Sequence, residues 1–122
     1  AMTTWDREIF SAEGNADFLD ELSQLEPEEV LEAVSDAVLL AADGDSASEE
    51  ERLNGQAAAT IAAIWSGAPF SAGEIADAYP FIRSNPGEIS EQLSESASAI
   101  LEEAAEDDDS ASDIDQFLEA LS

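Results

Sequence analysis

One segment of this acidic chain carries no charge. From Gln56 to Trp65 the sequence consists mainly of alanine and isoleucine, although 30 of the 122 residues in the chain are Asp or Glu. When such a segment is wound into a helix, small apolar side chains lie around most of its circumference, which is typical of a helix surrounded by others. The sequence therefore predicts an all-α fold, a single compact bundle of about five to six helices around a central alanine-rich helix.

Helix start signals divide the rest of the chain, and strict apolar alternation never extends beyond a few residues. Asn15 is expected to cap a first helix that runs to Leu25, and Pro27 to open a second. Ser46 and Glu49 have the spacing of a capping box, so the central helix is expected to begin there. Three more helices are predicted: Ser71 to Tyr79, Asn85 to an acidic end that begins at Glu106, and Asp113 to Leu121.

The apolar residues of each predicted helix fall on one stripe. The stripes of the first two helices are Ala16, Phe18, Leu19, Leu22 and Leu25, and then Val30, Val34, Ala37, Val38 and Ala41. Those of the last two are Ile89, Leu93, Ala97, Ile100 and Leu101, and then Ile114, Phe117, Leu118 and Leu121.

Length and charge pattern predict one domain away from membranes. A chain of 122 residues with 44% hydrophobic content is near the usual size of one domain. We expect residues 1–122 to form it, with Ala1 left in front of Met2 by expression. No predominantly apolar run approaches the roughly 18 to 20 residues of a membrane span, and acids interrupt the N-terminal segment where a secretory signal would be apolar. A cytoplasmic protein is expected.

The composition excludes many enzyme mechanisms. The chain has no Cys and no His, so it lacks thiolate zinc ligands and the usual general base. Carboxylate chemistry needs an acid whose pKa is raised by burial, and no acid lies within the apolar stretches. Arg7, Arg52 and Arg83 are scattered and are expected to pair with local carboxylates. We expect no enzyme, no cofactor and no bound metal.

Two acidic segments are candidate sites. Asp43 to Glu51 has the alternating acids of a calcium loop, but with Asp43 as the first ligand the required glycine is Ser48 and the bidentate acid is Asn54. A turn followed by a helix cap explains these residues. A second run is a possible partner surface, or simply a solvated helix end. It comprises Glu102, Glu103, Glu106, Asp107, Asp108 and Asp109.

Two stretches together carry a family resemblance. Trp5 to Leu22 reads W-D-R-E-I-F-S-A-E-G-N-A-D-F-L-D-E-L and resembles the opening W-G-x-G-x-F-x-N-D-x-A-x-D-W/F-L of the bacterial domain of unknown function 4259 family. Gln56 to Pro69 resembles that family's A-A-A-E-x-I-A-A…G-x-P segment. Asp6 and Glu8 stand where the family usually has Gly. The resemblance implies a fold and no activity, because the family has no assigned function.

The positions that match the family motifs are expected to be structural. They are Trp5, Phe10, Asp17, Phe18, Leu19, Ala58, Ala59, Ala62 and Ala63. Two of them, Trp5 and Phe10, precede the first helix, where large aromatics either form an exposed contact patch or fold back over the core. Covering the core is the preferred interpretation, because burying an aromatic ring contributes more than burying any nearby residue.

Two functions remain open. A net charge of −27 repels nucleic acid and anionic membranes and attracts basic protein surfaces. The first hypothesis is therefore an interaction module for a basic protein, of an immunity-like or nucleic-acid-mimic type. The second is that the acidity has no partner and serves solvation or adaptation to salt. Carboxylates clustered on one face would favour the partner, and carboxylates spread evenly would favour solvation.

Overall fold

Five helices form the fold in the computed structural model, which describes residues 9–10, 13–42, 48–66, 91–107 and 114–121. We label them in chain order as α1 Glu13–Ser23, α2 Pro27–Ala42, α3 Glu49–Trp65, α4 Glu91–Asp107 and α5 Ile114–Leu121. Within these ranges there is no β-strand. The predicted all-α bundle is confirmed, while the helix predicted from Ser71 to Tyr79 lies outside the described residues.

The alanine-rich helix α3 is the centre of the bundle, as predicted. It packs against each of α1, α2, α4 and α5. Its middle is completely buried, including one polar residue, Thr60, whose hydroxyl donates a hydrogen bond to the carbonyl of Gln56 at 2.8 Å. The buried apolar residues of α3 are Ala57, Ala58, Ala59, Ile61, Ala62, Ala63 and Trp65.

Helices α2 and α3 approach each other closely where α3 has its one glycine. An ideal Cβ placed on Gly55 would lie 2.1 Å from the Cβ of Ala41 and 3.2 Å from the carbonyl oxygen of Ala37. Both neighbours belong to α2. The absence of a side chain at Gly55 therefore lets the two helix backbones meet, in the way that small residues allow close packing elsewhere along α3.

The capping box of α3 lies two residues later than predicted. Ser48, not Ser46, is the N-cap: its Oγ accepts a hydrogen bond from the backbone N–H of Glu51 at 3.2 Å. In return the Ser48 backbone N–H donates to Glu51 Oε1 at 2.9 Å. The same S-x-x-E spacing occurs at Ser46 and Glu49, so the sequence offered two overlapping boxes and helix α3 begins at the second.

The prediction that Asn15 caps the N-terminus of α1 is wrong. Asn15 lies within that helix. Its side chain is fully buried, and its Nδ2 donates a hydrogen bond of 2.7 Å to the carbonyl of Ile9, which precedes α1. Its Oδ1 has no hydrogen-bond partner in the described part of the chain. The α1 stripe is also narrower than predicted, since Ala16 is exposed and Leu25 lies in the turn after the helix.

The other predicted stripes face the core. On α2, Val30, Val34, Val38 and Ala41 are buried and Ala37 is partly buried. On α4 the buried residues are Leu93, Ala97, Ile100 and Leu101, while Ile89 lies outside the described residues. On α5, Ile114, Phe117 and Leu121 are buried and Leu118 is partly buried. Helix α4 continues to Asp107 rather than ending where the acidic run begins. A hydrogen bond from the Ser94 hydroxyl to the carbonyl of Leu121 ties the end of α5 to α4.

Candidate functional site

The carboxylates are distributed over every outer helix. Each of α1, α2, α4 and α5 buries its apolar stripe against the core, and the acids whose side chains are described lie away from that stripe, in solvent. The exposed acids of these helices are Asp17, Asp20 and Glu21 on α1, Glu28, Glu29, Glu32 and Asp36 on α2, Glu91, Glu95, Glu102 and Glu103 on α4, and Glu119 on α5. Among the described residues, no single face of the bundle gathers them.

Burial of α3 explains this distribution. A helix enclosed by four others offers little solvated surface, and its described acid, Glu51, is half-buried and engaged in the capping box. Charged side chains avoid full burial without a partner, so the acids of α3 are confined to its first turn, and the exposed helical acids lie on the four outer helices. The surface field of the described bundle is therefore negative in several directions rather than one.

The acidic run predicted as a partner surface is only partly described. Glu102 and Glu103 are exposed on α4. Glu106 and Asp107 belong to the same helix, and nothing is described of their side chains; Asp108 and Asp109 lie outside the described residues.

Glu102 and Glu103 also point toward different depressions of the surface. Glu103 lines a small cavity of about 40 Å³ together with Ala41, Arg52, Gln56 and Ile100. That volume holds no more than a few water molecules. Glu102 lines an open groove along α4 of about 430 Å³. The two acids thus line separate depressions.

The groove along α4 is lined by carboxylates and serine hydroxyls. Its lining residues are Glu91, Ser94, Glu95, Ser98, Ala99, Glu102 and Leu121. The carboxylates on its rim are exposed, and the hydroxyl of Ser94 is already bonded to the Leu121 carbonyl. In the described ranges, no group of three or more acidic side chains is arranged to hold a metal ion.

The positions that match the family motifs fall mostly in the core. Phe10 and Leu19 are buried, and Phe18 is partly buried and packed against the same core. The four alanines of the second motif, Ala58, Ala59, Ala62 and Ala63, have no exposed surface at all. Asp17 is exposed. Trp5 lies outside the described residues, as do the residues 43–47 that were compared with a calcium loop.

Sequence reasoning missed two exposed leucines near the end of α2. Leu39 and Leu40 are 39% and 48% exposed. They lie on the outer side of the helix, because successive residues are about 100° apart and the stripe through Val34 and Val38 occupies the inner side. The signal was present in the sequence: both leucines fall off that stripe.

Comparison with known proteins identifies a family and no activity. A family described as "Domain of unknown function (DUF4259)" matches residues 3–121. Neither the curated proteins nor the solved structures that were searched contain a match. None of the helices in the described residues is both long and apolar enough to cross a membrane.

Proposed function

This chain belongs to the DUF4259 family, and we propose that it is a non-enzymatic helical protein whose acidic coat keeps it folded and dissolved in concentrated salt. The observation that carries the proposal is the presence of exposed carboxylates on all four outer helices, α1, α2, α4 and α5. Acids gathered on one face would indicate a surface for one basic partner, whereas these acids lie on four helices. An even coat instead binds water and cations over the whole surface.

The charge balance supports the same proposal. The chain has 30 acids against 3 basic residues and a net charge of −27. At about 0.01 M salt the Debye length is about 30 Å, so each exposed carboxylate is repelled by many others, and this repulsion opposes the compact state. Added salt removes the repulsion while water remains bound to the carboxylates. Stability is therefore expected to rise with salt, in a cytoplasm rich in cations.

The test compares the salt dependence of melting for the natural chain and a neutralised variant. The variant replaces exposed acids that lie outside the first turns of their helices. Acids in a first turn are kept, because they interact favourably with the helix dipole. The substitutions are Glu21→Gln, Glu32→Gln, Asp36→Asn, Glu95→Gln and Glu102→Gln. Both proteins are melted from millimolar to molar KCl, followed by circular dichroism.

Opposite behaviour is expected at the two ends of the salt range. The natural chain should gain melting temperature steadily with KCl. The neutralised variant should be the more stable protein at low salt, should gain less from KCl, and should precipitate earlier at molar salt. Salt also strengthens apolar burial in any protein, so the difference between the two slopes is the decisive quantity. Equal slopes, or a flat curve for the natural chain, would reject the proposal.

A second candidate function is the binding of a basic protein, and one observation favours it. Leu39 and Leu40 are exposed next to acidic residues on the same side of α2. Solvation accounts for the acids and leaves the leucines unexplained. A basic protein recovered with the natural chain and released at moderate salt, but not recovered with a chain altered at these leucines, would support this function.

A further inference from the structure

The outer side of α2 combines charge and apolar surface. Val30, Val34 and Val38 face the core and are at most 2% exposed. The residues on the opposite side are all exposed, and together we call them the α2 outer face: Glu28, Glu29, Glu32, Asp36, Leu39 and Leu40. Helix α2 has 16 residues and is therefore about 24 Å long, enough to lie against roughly four turns of another helix.

The two ends of this face differ in chemistry. Its first three turns carry the four acids and its last turn carries the leucines. Asp36 stands three residues before Leu39 and four before Leu40, so its side chain neighbours both on the helix surface. Scattered apolar residues are ordinary on protein surfaces. Here the two most exposed large apolar side chains of the described residues are adjacent and continue an acidic row.

Charge decides what occupant such a face accepts. A second copy of this chain would bring four acids against four acids, and each copy has a net charge of −27. A segment with lysine or arginine opposite the acids and apolar residues opposite the leucines is complementary over the whole length. Complementary charge of this kind speeds association and fixes orientation, whereas apolar contact slows release.

We propose that the α2 outer face is a docking surface for a basic amphipathic helix of another protein, which places apolar side chains on Leu39 and Leu40 and basic side chains on Glu32 and Asp36. This inference goes beyond the solvation proposed above, which explains the carboxylates alone. The partner helix would make its apolar contact at the C-terminal end of α2. The rest of the acidic coat contributes only a uniform attraction.

The probe is a synthetic basic helical peptide as long as α2, with a leucine pair near one end and lysines along the same side. A second peptide of the same charge replaces its leucines with serine. Binding to the full chain is measured by isothermal titration and located by amide chemical shifts in NMR. Shifts concentrated on the α2 outer face are expected, with weaker binding of the serine peptide.

Variants of the leucines test the apolar end. L39N/L40N should weaken binding of the leucine peptide about tenfold, which corresponds to about 1.4 kcal/mol, because the contact of two half-exposed side chains is removed. It should leave binding of the serine peptide unchanged. Leu25 is 37% exposed and lies in the turn before α2, so Leu25→Asn is the matched control and should bind like the natural chain.

Variants of the acids test the orientation. E32Q/D36N should weaken binding severalfold more than E95Q/E102Q, although both remove two charges from exposed positions. Equal effects of the two pairs, or chemical shifts spread over α1, α2 and α4 alike, would mean attraction by the coat as a whole and would overturn the proposal.

Sedimentation of the chain alone tests the other occupant. A dimer that L39N/L40N converts to monomer would assign the α2 outer face to a second copy and would also overturn the proposal. Failure here is distinguishable from failure of the solvation proposal. The salt dependence of melting should be the same for L39N/L40N as for the natural chain, since no charge is altered.

Discussion

Gly55 of α3 packs directly against Ala41 of α2, so closely that a Cβ added to Gly55 would lie 2.1 Å from the Cβ of Ala41. In most helices Gly→Ala stabilises by about 1 kcal/mol through helix propensity. At this position both atoms are fixed to helix backbones, so the helices must separate. We expect Gly55→Ala to lower the free energy of unfolding by about 1 to 3 kcal/mol, measured by urea denaturation.

The double variant Ala41→Gly with Gly55→Ala supplies the control. It removes the obstructing methyl group and should recover most of the stability lost in Gly55→Ala, apart from about 1 kcal/mol for the new glycine in a helix. A positive coupling between the two substitutions is the signature of direct contact. If Gly55→Ala alone stabilises the protein, the close approach of α2 and α3 is wrong.

Asn15 is buried, and its Nδ2 donates a hydrogen bond while its Oδ1 has no partner among the described residues. Asn15→Asp keeps the shape of the side chain but replaces the Nδ2 donor with an oxygen that faces the carbonyl of Ile9, 2.7 Å away. It also adds a charge at a site with no exposed surface. We expect a loss of about 3 kcal/mol or more at neutral pH, measured by denaturation.

The matched control adds the same charge at the surface. Gln24 is exposed in the turn after α1, and Gln24→Glu should change stability by no more than about 0.5 kcal/mol. Similar losses for the two variants would show that added charge, rather than burial at Asn15, is responsible.

The capping box at Ser48 and Glu51 predicts a position-specific effect. Ser48→Ala removes the acceptor for the Glu51 backbone N–H and should cost about 1 kcal/mol of stability in thermal melts. Ser46→Ala leaves this cap intact and should be nearly neutral. The reverse result would mean that α3 begins at the capping box of Ser46 and Glu49.

Crowding around α3 predicts that a larger apolar residue destabilises its middle. Ala59 has no exposed surface, and Ala59→Leu should cost about 1 to 3 kcal/mol despite its added hydrophobicity. Ala16, which is exposed on α1, provides the control, because Ala16→Leu makes the same chemical change without enclosure. Chemical denaturation of the two variants decides the matter. Equal stability would mean that α3 has room around it.

The sequence was sufficient where a pattern had only one physical solution. An uncharged alanine-rich segment in so acidic a chain has to be enclosed, and α3 is the helix that touches all the others. The stripe through Val30, Val34 and Val38 likewise has one orientation. The fold class follows from these features because they involve burial, which is the largest favourable term in folding.

The sequence was insufficient where two local solutions compete or where the decisive contact is distant. Ser46 and Ser48 both begin a capping box, and the local pattern does not distinguish them, although Ser48 is the N-cap. Asn15 is a good N-cap by residue type, but its hydrogen bond to the carbonyl of Ile9, six residues earlier, is not part of the capping pattern. Leu39 and Leu40 fall off the predicted stripe of α2, so their exposure was open to prediction from the sequence. The partner surface at the run from Glu102 stays a prediction.

The position of α3 has a consequence for how this protein unfolds. Each outer helix packs against α3, so detachment of any one of them exposes part of α3 while the remaining helices still cover the rest. Amide protons in the middle of α3 then meet solvent only when the whole bundle opens. Those protons should exchange last, at a rate that reports global unfolding, while the outer helices exchange earlier through partial openings of their own.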